Sequence, residues 1–193
     1  MRLFTSLVDP DLIRCLNQGG VVVLPTDTVY GVVARASDQR AVERVYRLRG
    51  RSPNKPCIIL VAGLWQIKDT AFFDPQSKAL AQKYWPGPLS LVIKTTDKTP
   101  EYLHRGTHTL AYRTPDNPEL CKLLAATGPL IAPSANIEGM PTAITLDHAE
   151  HYFANKVDGY VDGGELADRA PSTVATVQDG KPRILRQGAL RIL

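Results

Sequence analysis

The sequence predicts an α/β fold, a single domain over residues 1–193 with helices flanking a twisted, mixed β-sheet. Three observations point there. Short apolar runs rich in β-branched residues alternate with amphipathic stretches through the first two-thirds of the chain. Strand-like segments then crowd together towards the end. The chain has 193 residues, 44% apolar and 22% charged. That is enough to bury one core without disulfides or metals.

The elements follow in order. Asp9 caps a first helix, Pro10 suits its first turn, and Leu12, Ile13 and Leu16 share one face up to Gly19-Gly20. Val21 to Leu24 is a strand covered on both faces and stopped by Pro25. Asp38 caps a second helix from Gln39, with Ala41, Val42, Val45 and Leu48 inward and an end near Gly50. Cys57 to Val61 is a second buried strand, and Pro75 to Tyr84 a helix. Trp85-Pro86-Gly87-Pro88 has too much proline for regular structure. Leu89 to Ile93 and Thr109 to Arg113 are strands. Asp116 caps a helix that Gly128 closes, Leu130 to Ala132 is a short strand, and Thr145 caps a helix through Phe153. Tyr160-Val161, Ser172 to Val177 and Arg183 to Leu185 complete the strands.

Several function classes drop out. No apolar run reaches the 18 or more residues of a membrane span, and the first ten residues are too short in apolar length for a signal peptide, so the chain reads as cytoplasmic. A net charge of +4 permits an anionic ligand without demanding one. Cys15, Cys57 and Cys121 are scattered free thiols. There is no phosphate loop of the G-x-x-x-x-G-K-[ST] type, no G-x-G-x-x-G and no G-x-S-x-G. His148 and His151 could share a helix face, but two ligands do not make a zinc site, and no metal site is expected.

Five segments carry chemistry. Pro25-Thr26-Asp27-Thr28-Val29-Tyr30-Gly31 places hydroxyls, a carboxylate and a phenol beyond the carboxyl end of a strand, where open α/β sheets bind ligands. It reads equally as a solvated turn with Asp27 capping a helix. From Arg40 to Lys55 six cations face one acid, Glu43. Arg40, Arg44 and Arg47 line one helix face and read as solvated, whereas Arg49, Arg51 and Lys55 lie at and beyond the helix end, where an irregular loop can converge on a phosphate. Pro133-Ser134-Ala135-Asn136 again follows a strand; its hydroxyl and carboxamide suit a phosphate or sugar, or simply a turn. Arg113 at a strand end, and Ser172-Thr173-Val174 with Arg186 beyond, are unremarkable singly.

In this order, with Trp85-Pro86-Gly87-Pro88-Leu89 between them, these segments resemble the YrdC/Sua5/TsaC family of L-threonylcarbamoyladenylate synthases in its short, single-domain form. The likeness spans nearly the whole chain. It implies a YrdC-like (DHBP synthase-like) fold with a large basic concave cavity, and a nucleotidyltransferase. That enzyme joins ATP, L-threonine and bicarbonate or CO2 into threonylcarbamoyl-AMP and pyrophosphate, for the threonylcarbamoyl modification of adenosine 37 in tRNA. Mg2+ would accompany ATP, and a separate transferase complex would pass the group to tRNA.

The family's positions carry over residue by residue. Threonine contacts fall on Thr28, Arg113 and Ser172. Nucleotide contacts fall on Arg49, Arg51, Lys55, Thr109, Ser134, Asn136, Thr142 and Arg186, with Arg49 and Arg51 as the catalytic cations. Two positions depart from the family pattern. K-G-R-P becomes Arg49-Gly50-Arg51-Ser52, and S-A-N-x-S-G becomes Ser134-Ala135-Asn136-Ile137-Glu138-Gly139, which sets an acid near the expected phosphate site. Two other readings stay open: an RNA-binding protein of this fold, touching RNA or tRNA through its basic surface without adenylation, and a carbamoyl-adenylate former like the related domain of hydrogenase maturation proteins.

Overall fold

A computed structural model describes residues 2–68 and 73–192. Its helices begin where side chains can satisfy the free N–H groups of a first turn. Asp9 accepts from Asp11 at the head of α1 (Pro10–Asn17), and Asp38 from Ala41 at the head of α2 (Gln39–Arg49). Asp74 and Thr145 do the same for α3 (Pro75–Tyr84) and α6 (Leu146–Phe153). A short α4 (Glu101–His104) was not expected from sequence. In α5 (Pro118–Thr127) the cap is Asn117, accepting from Leu120, and not Asp116. Asp116 instead gives its backbone N–H to the Asp27 carboxylate.

The strands are β1 (Leu3–Phe4), β2 (Val22–Pro25), β3 (Tyr30–Arg35), β4 (Ile58–Leu60), β5 (Leu89–Lys94), β6 (Thr109–Arg113), β7 (Leu130–Ile131), β8 (Gly159–Val161), β9 (Thr173–Gln178) and β10 (Lys181–Arg186). They form one sheet in the order β1-β8-β2-β3-β7-β4-β6-β5-β9-β10. The sheet holds parallel pairs such as β4–β6 and β5–β9 and antiparallel ones such as β2–β3 and β5–β6, so it is mixed as expected.

β3 is the longest element the sequence reading missed, besides β1 and α4. Tyr30 and Gly31 belong to a strand and not to the polar turn, and Pro25 ends β2 inside the ladder, paired with Tyr30. The turn between them is the four residues Thr26 to Val29. The Thr26 hydroxyl closes it, donating to the Val29 carbonyl (2.8 Å) and accepting from the N–H groups of Thr28 and Val29. A tight side-chain-closed turn followed by a glycine hides a strand start from any alternation count.

The two sheet faces differ in cover. One packs against α2, α3 and α6 through Val42, Val45, Leu80, Ala149 and Phe153. The other is covered only at one end, where Leu12, Leu16, Leu120, Leu123 and Leu124 of α1 and α5 lie on Val22, Leu24, Val33 and Leu60. Each such fully buried leucine contributes roughly 1.5–3 kcal/mol. Beyond Leu60 no helix of the described residues packs over this second face. Its outward residues, paired across strands, are Ile58 with Ala111, Val92 with Ala111, and Ser90 with Val174. The open half of the face is where the polar turns converge.

Candidate functional site

A cavity of about 170 Å3 opens on that uncovered face. The β2–β3 turn supplies Thr26 and Thr28, β6 supplies Arg113, and the residues after β7 supply Pro133 and Ser134. Arg51 enters from the loop after α2, Ser172 precedes β9, and Arg186 ends β10; Thr142 completes the wall. Three arginines and no carboxylate line it. Their mutual field is visible at Arg186, whose guanidinium is pulled below its usual value first by burial, then by the charges of Arg113 and Arg51.

On one wall, Arg113 is almost wholly buried and meets Asp27, also buried, through Nη1 and Oδ1 at 2.5 Å. Its Nη2 donates to the Thr28 hydroxyl at 3.3 Å, and its Nε is buried without a partner. Asp27 thus spans two jobs, holding Arg113 and accepting the Asp116 N–H. On the adjacent side, the Ser172 hydroxyl lies 2.9 Å from that of Ser90, and Arg186 Nη2 donates to the Ser172 carbonyl at 2.8 Å.

Arg186 reaches this position through an irregularity. Arg183 pairs with Thr176 and Ile184 with Ala175, but the next pair is Arg186 with Val174. One extra residue, Leu185, slips the alternation so that the arginine sits opposite Val174 on the open face.

The opposite wall is a loop. Arg51 donates from Nε to the Lys55 carbonyl (3.1 Å) and from Nη2 to the Pro56 carbonyl (2.8 Å), which folds residues 51–56 back on themselves. Across from it, Glu138 accepts from the Ser52 N–H (2.6 Å) and from Lys55 Nζ (3.0 Å). These two contacts, the Lys55 one first, hold the Glu138 carboxyl below its usual range.

The family described as "Telomere recombination" (Sua5/YciO/YrdC) matches residues 14–188, most of the chain. The chain belongs to the Sua5/YciO/YrdC family. It is 36% identical to the threonylcarbamoyl-AMP synthase of Pyrococcus abyssi over 177 residues, covering 91% of this chain and 52% of that protein. The structure of P. abyssi Sua5 complexed with L-threonine superposes with a TM-score of 0.84 at 31% identity, covering 97% of this chain and 58% of that one. The chain spans about half the length of these two. E. coli YciO superposes with a TM-score of 0.84 at 25% identity, covering 97% of this chain and 95% of that one.

Set against the positions carried over from the family, the geometry brings together Thr28, Arg51, Arg113, Ser134, Thr142, Ser172 and Arg186. It does not bring Arg49, Asn136, Lys55 or Thr109 into the same lining. Arg49 turns inward. Its Nε and Nη2 donate to the carbonyl and Oδ1 of Asn136, both at 2.9 Å, and burial pulls its guanidinium below the usual value. The expectation of a cation facing phosphate therefore changes here to one that shapes the 134–138 turn. Asn136 is buried too, its amide donating to the carbonyls of Ile137 and Met140. Lys55 stands at the rim, paired with Glu138.

Thr109 lies at the other end of β6 from Arg113, roughly 13 Å away at about 3.3 Å per residue. It lines a separate and wider hollow of about 650 Å3 with Lys94 and Thr176. Alternation puts Thr109, Ala111 and Arg113 on the same open face. The second hollow is an open trough at the far end of that face, bounded also by Asp74 and Pro75 at the head of α3, and it shares no lining residue with the first.

Two residues that hold the β2–β3 turn from behind were not assigned from sequence: Asp27, read either as the turn's carboxylate or as a helix cap, and Arg169, whose Nη1 reaches the carbonyls of Thr26 and Asp27 at 3.4 Å. The arginines on the outer face of α2 share their surface with Asp38 and Glu43, and Arg44 pairs with Asp158 at 2.5 Å. That face is mixed in charge and not a basic stripe. Among the described residues no group of three or more His, Cys, Asp or Glu could hold a metal ion. No helix of the described residues is long and apolar enough to cross a membrane.

Proposed function

We propose that this chain condenses L-threonine, bicarbonate or CO2, and ATP into threonylcarbamoyl-AMP and pyrophosphate. The observation that carries the reading is one cavity in which an arginine–hydroxyl pair, Arg113 with Thr28, faces Arg51, Ser134 and Thr142. The first pair suits an amino-acid carboxylate, and the second set suits phosphate oxygens. Names of relatives at 36% and 30% identity, from P. abyssi and Pseudoalteromonas translucida, support the same reaction.

The chemistry needs no protein nucleophile. Bicarbonate, where it is the source, first loses water to give CO2; the threonine amine then adds to CO2, forming an N–C bond as one C=O π bond opens and passing a proton to solvent, to give a carbamate. A carbamate oxygen attacks the α-phosphorus of ATP, the bond to the bridging oxygen breaks, and pyrophosphate leaves with its charge. Positioning and charge neutralisation do the work. Arg113, fixed by Asp27, presents its charge to the carboxylate, and Thr28 and Ser172 orient the amine and side-chain hydroxyl. Arg51 and Arg186 neutralise the phosphates, while Arg49 acts at one remove by fixing Ser134 and Asn136. Mg2+ would come with the ATP and would offset phosphate charge there; the cavity lining offers it the hydroxyls of Thr28, Ser134 and Thr142 and no carboxylate. The adenosine end lies beside the cavity over Ile58 and Ala111, short of Thr109. The product is a mixed anhydride, so a transferase acting on tRNA is its consumer.

The test is direct. Protein, ATP, Mg2+, bicarbonate and threonine are incubated, pyrophosphate is measured, and the adenylate is sought by mass. Release that depends on threonine supports the reading. No release above a threonine-free control overturns it.

A further inference from the structure

Glu138 occupies a place built for an anion. Its two oxygens take one backbone N–H, from Ser52 at 2.6 Å, and one ammonium, from Lys55 at 3.0 Å. A main-chain amide and a lysine from one short loop are the donor types that grip a phosphate oxygen. The loop has no other acid: between Arg49 and Cys57 every charged side chain is a cation. Glu138 is tied to the same loop by its backbone, its N–H donating to the Arg49 carbonyl at 2.8 Å. Its neighbour Arg51 lines the cavity. So an anion of the protein itself sits on donors that a substrate phosphate would want, in the loop whose Arg51 lines the cavity.

We infer that Glu138 is an internal competitor for phosphate: its carboxylate fills the Ser52–Lys55 anion site and must swing out for the ATP phosphates to engage it. The inference rests on the proposed use of ATP at this cavity. Its consequence is a raised ATP requirement, with the threonine requirement untouched, because Thr28 and Arg113 lie on the other wall. The carboxylate is about one-third exposed, so it can leave for solvent without unpacking the core. Its contacts are also weak enough to be exchanged.

The experiment measures binding of inorganic pyrophosphate and of α,β-methylene ATP by calorimetry, with Mg2+, to the parent, Glu138→Gln and Glu138→Ser. Glutamine keeps an acceptor for the Ser52 N–H but removes the charge; serine removes the side chain's reach as well. Both variants should bind pyrophosphate about three- to tenfold more tightly than the parent. Adding Lys55→Ala to Glu138→Gln should abolish the gain. Unchanged or weaker binding in both variants, with melting temperature unchanged, overturns the inference and makes Glu138 a latch that shapes the loop. The two readings fail separately. Tighter pyrophosphate binding in the variants, without threonine-dependent turnover in the parent, removes the proposed function and keeps the competitor. Turnover in the parent with no gain in binding does the reverse.

Discussion

The two sides of the cavity are each backed by the same chemistry, a cation against a carboxylate, under opposite physical conditions. On the side proposed for threonine, Arg113 and Asp27 have side chains 5% and 7% exposed. On the side proposed for phosphate, Lys55 and Glu138 are 63% and 29% exposed. A buried pair is fixed by the cost of separating it, because a lone charge left in the interior is expensive. An exposed pair is worth little and exchanges with water and ions. The first wall is therefore a rigid template set before any substrate arrives, and the second is an adjustable clamp. That division suits a reaction with one small, shape-defined substrate and one long, flexible, highly charged one.

The sharpest way to break the comparison is Asp27→Asn. The change is nearly isosteric but leaves the Arg113 charge buried and unpaired. Stability should fall by about 3–5 kcal/mol, with a melting temperature lower by roughly 10 °C, read by thermal and denaturant unfolding. The threonine KM should rise with it. Glu138→Gln on the other wall should leave the melting temperature in place. Comparable losses from the two variants would mean that the walls do not differ in rigidity.

Arg51→Ala comes next. It removes a cation from the clamp and two hydrogen bonds to the carbonyls of Lys55 and Pro56. ATP affinity should weaken about ten- to a hundredfold. Stability should change by about 1 kcal/mol or less, since the loop lies outside the core. Calorimetry with a nonhydrolysable ATP analogue checks the first and melting the second; parental affinity would take Arg51 out of the phosphate site.

Arg49→Lys tests a residue that belongs to neither wall. A lysine keeps the charge but cannot reproduce the two donors that hold the carbonyl and Oδ1 of Asn136. The expected loss is about 1–2 kcal/mol of stability with a small secondary rise in the ATP KM. A large loss of ATP binding with no loss of stability would return Arg49 to direct phosphate contact.

The sequence was informative wherever the signal was local. The capping aspartates, the apolar strands and the Pro75–Tyr84 helix are legible because caps, β-branching and proline act within a few residues. The inward turn of Arg49 was legible too, by helical phase. It stands four residues after Val45 and three after Tyr46, on the buried stripe of α2, while Arg40, Arg44 and Arg47 lie on the opposite side. Reading Arg49 by its position after the helix hid that. The Asp27–Arg113 pair was not legible, because its partners are 86 residues apart and only the β2–β3 turn and the end of β6 bring them together. Nor was the one-residue slip at Leu185, which depends on the register against β9 and not on any residue preference.

The smallest expected effect comes from Thr109→Val, and it sets how far the nucleotide runs along the trough. Thr109 shares the open face with Arg113 but at the far end of β6, and its hydroxyl lies 3.1 Å from that of Thr107 in the same turn. A side chain held by its own turn, outside the lining of the Arg113 cavity, has little left to give a ligand gripped at its phosphates. Valine keeps the shape and the strand preference of threonine and deletes only the hydroxyl. The ATP KM should therefore move by less than about twofold, the melting temperature by about 1 °C or less, and the threonine KM not at all, because surface substitutions of this kind cost within about 0.5 kcal/mol. A tenfold rise in the ATP KM would have a definite meaning. The nucleotide would then lie extended along the floor past Ala111 and Val92, with its far end at Thr109, and the adjustable side of the site would extend from the 51–56 loop to the opposite end of β6.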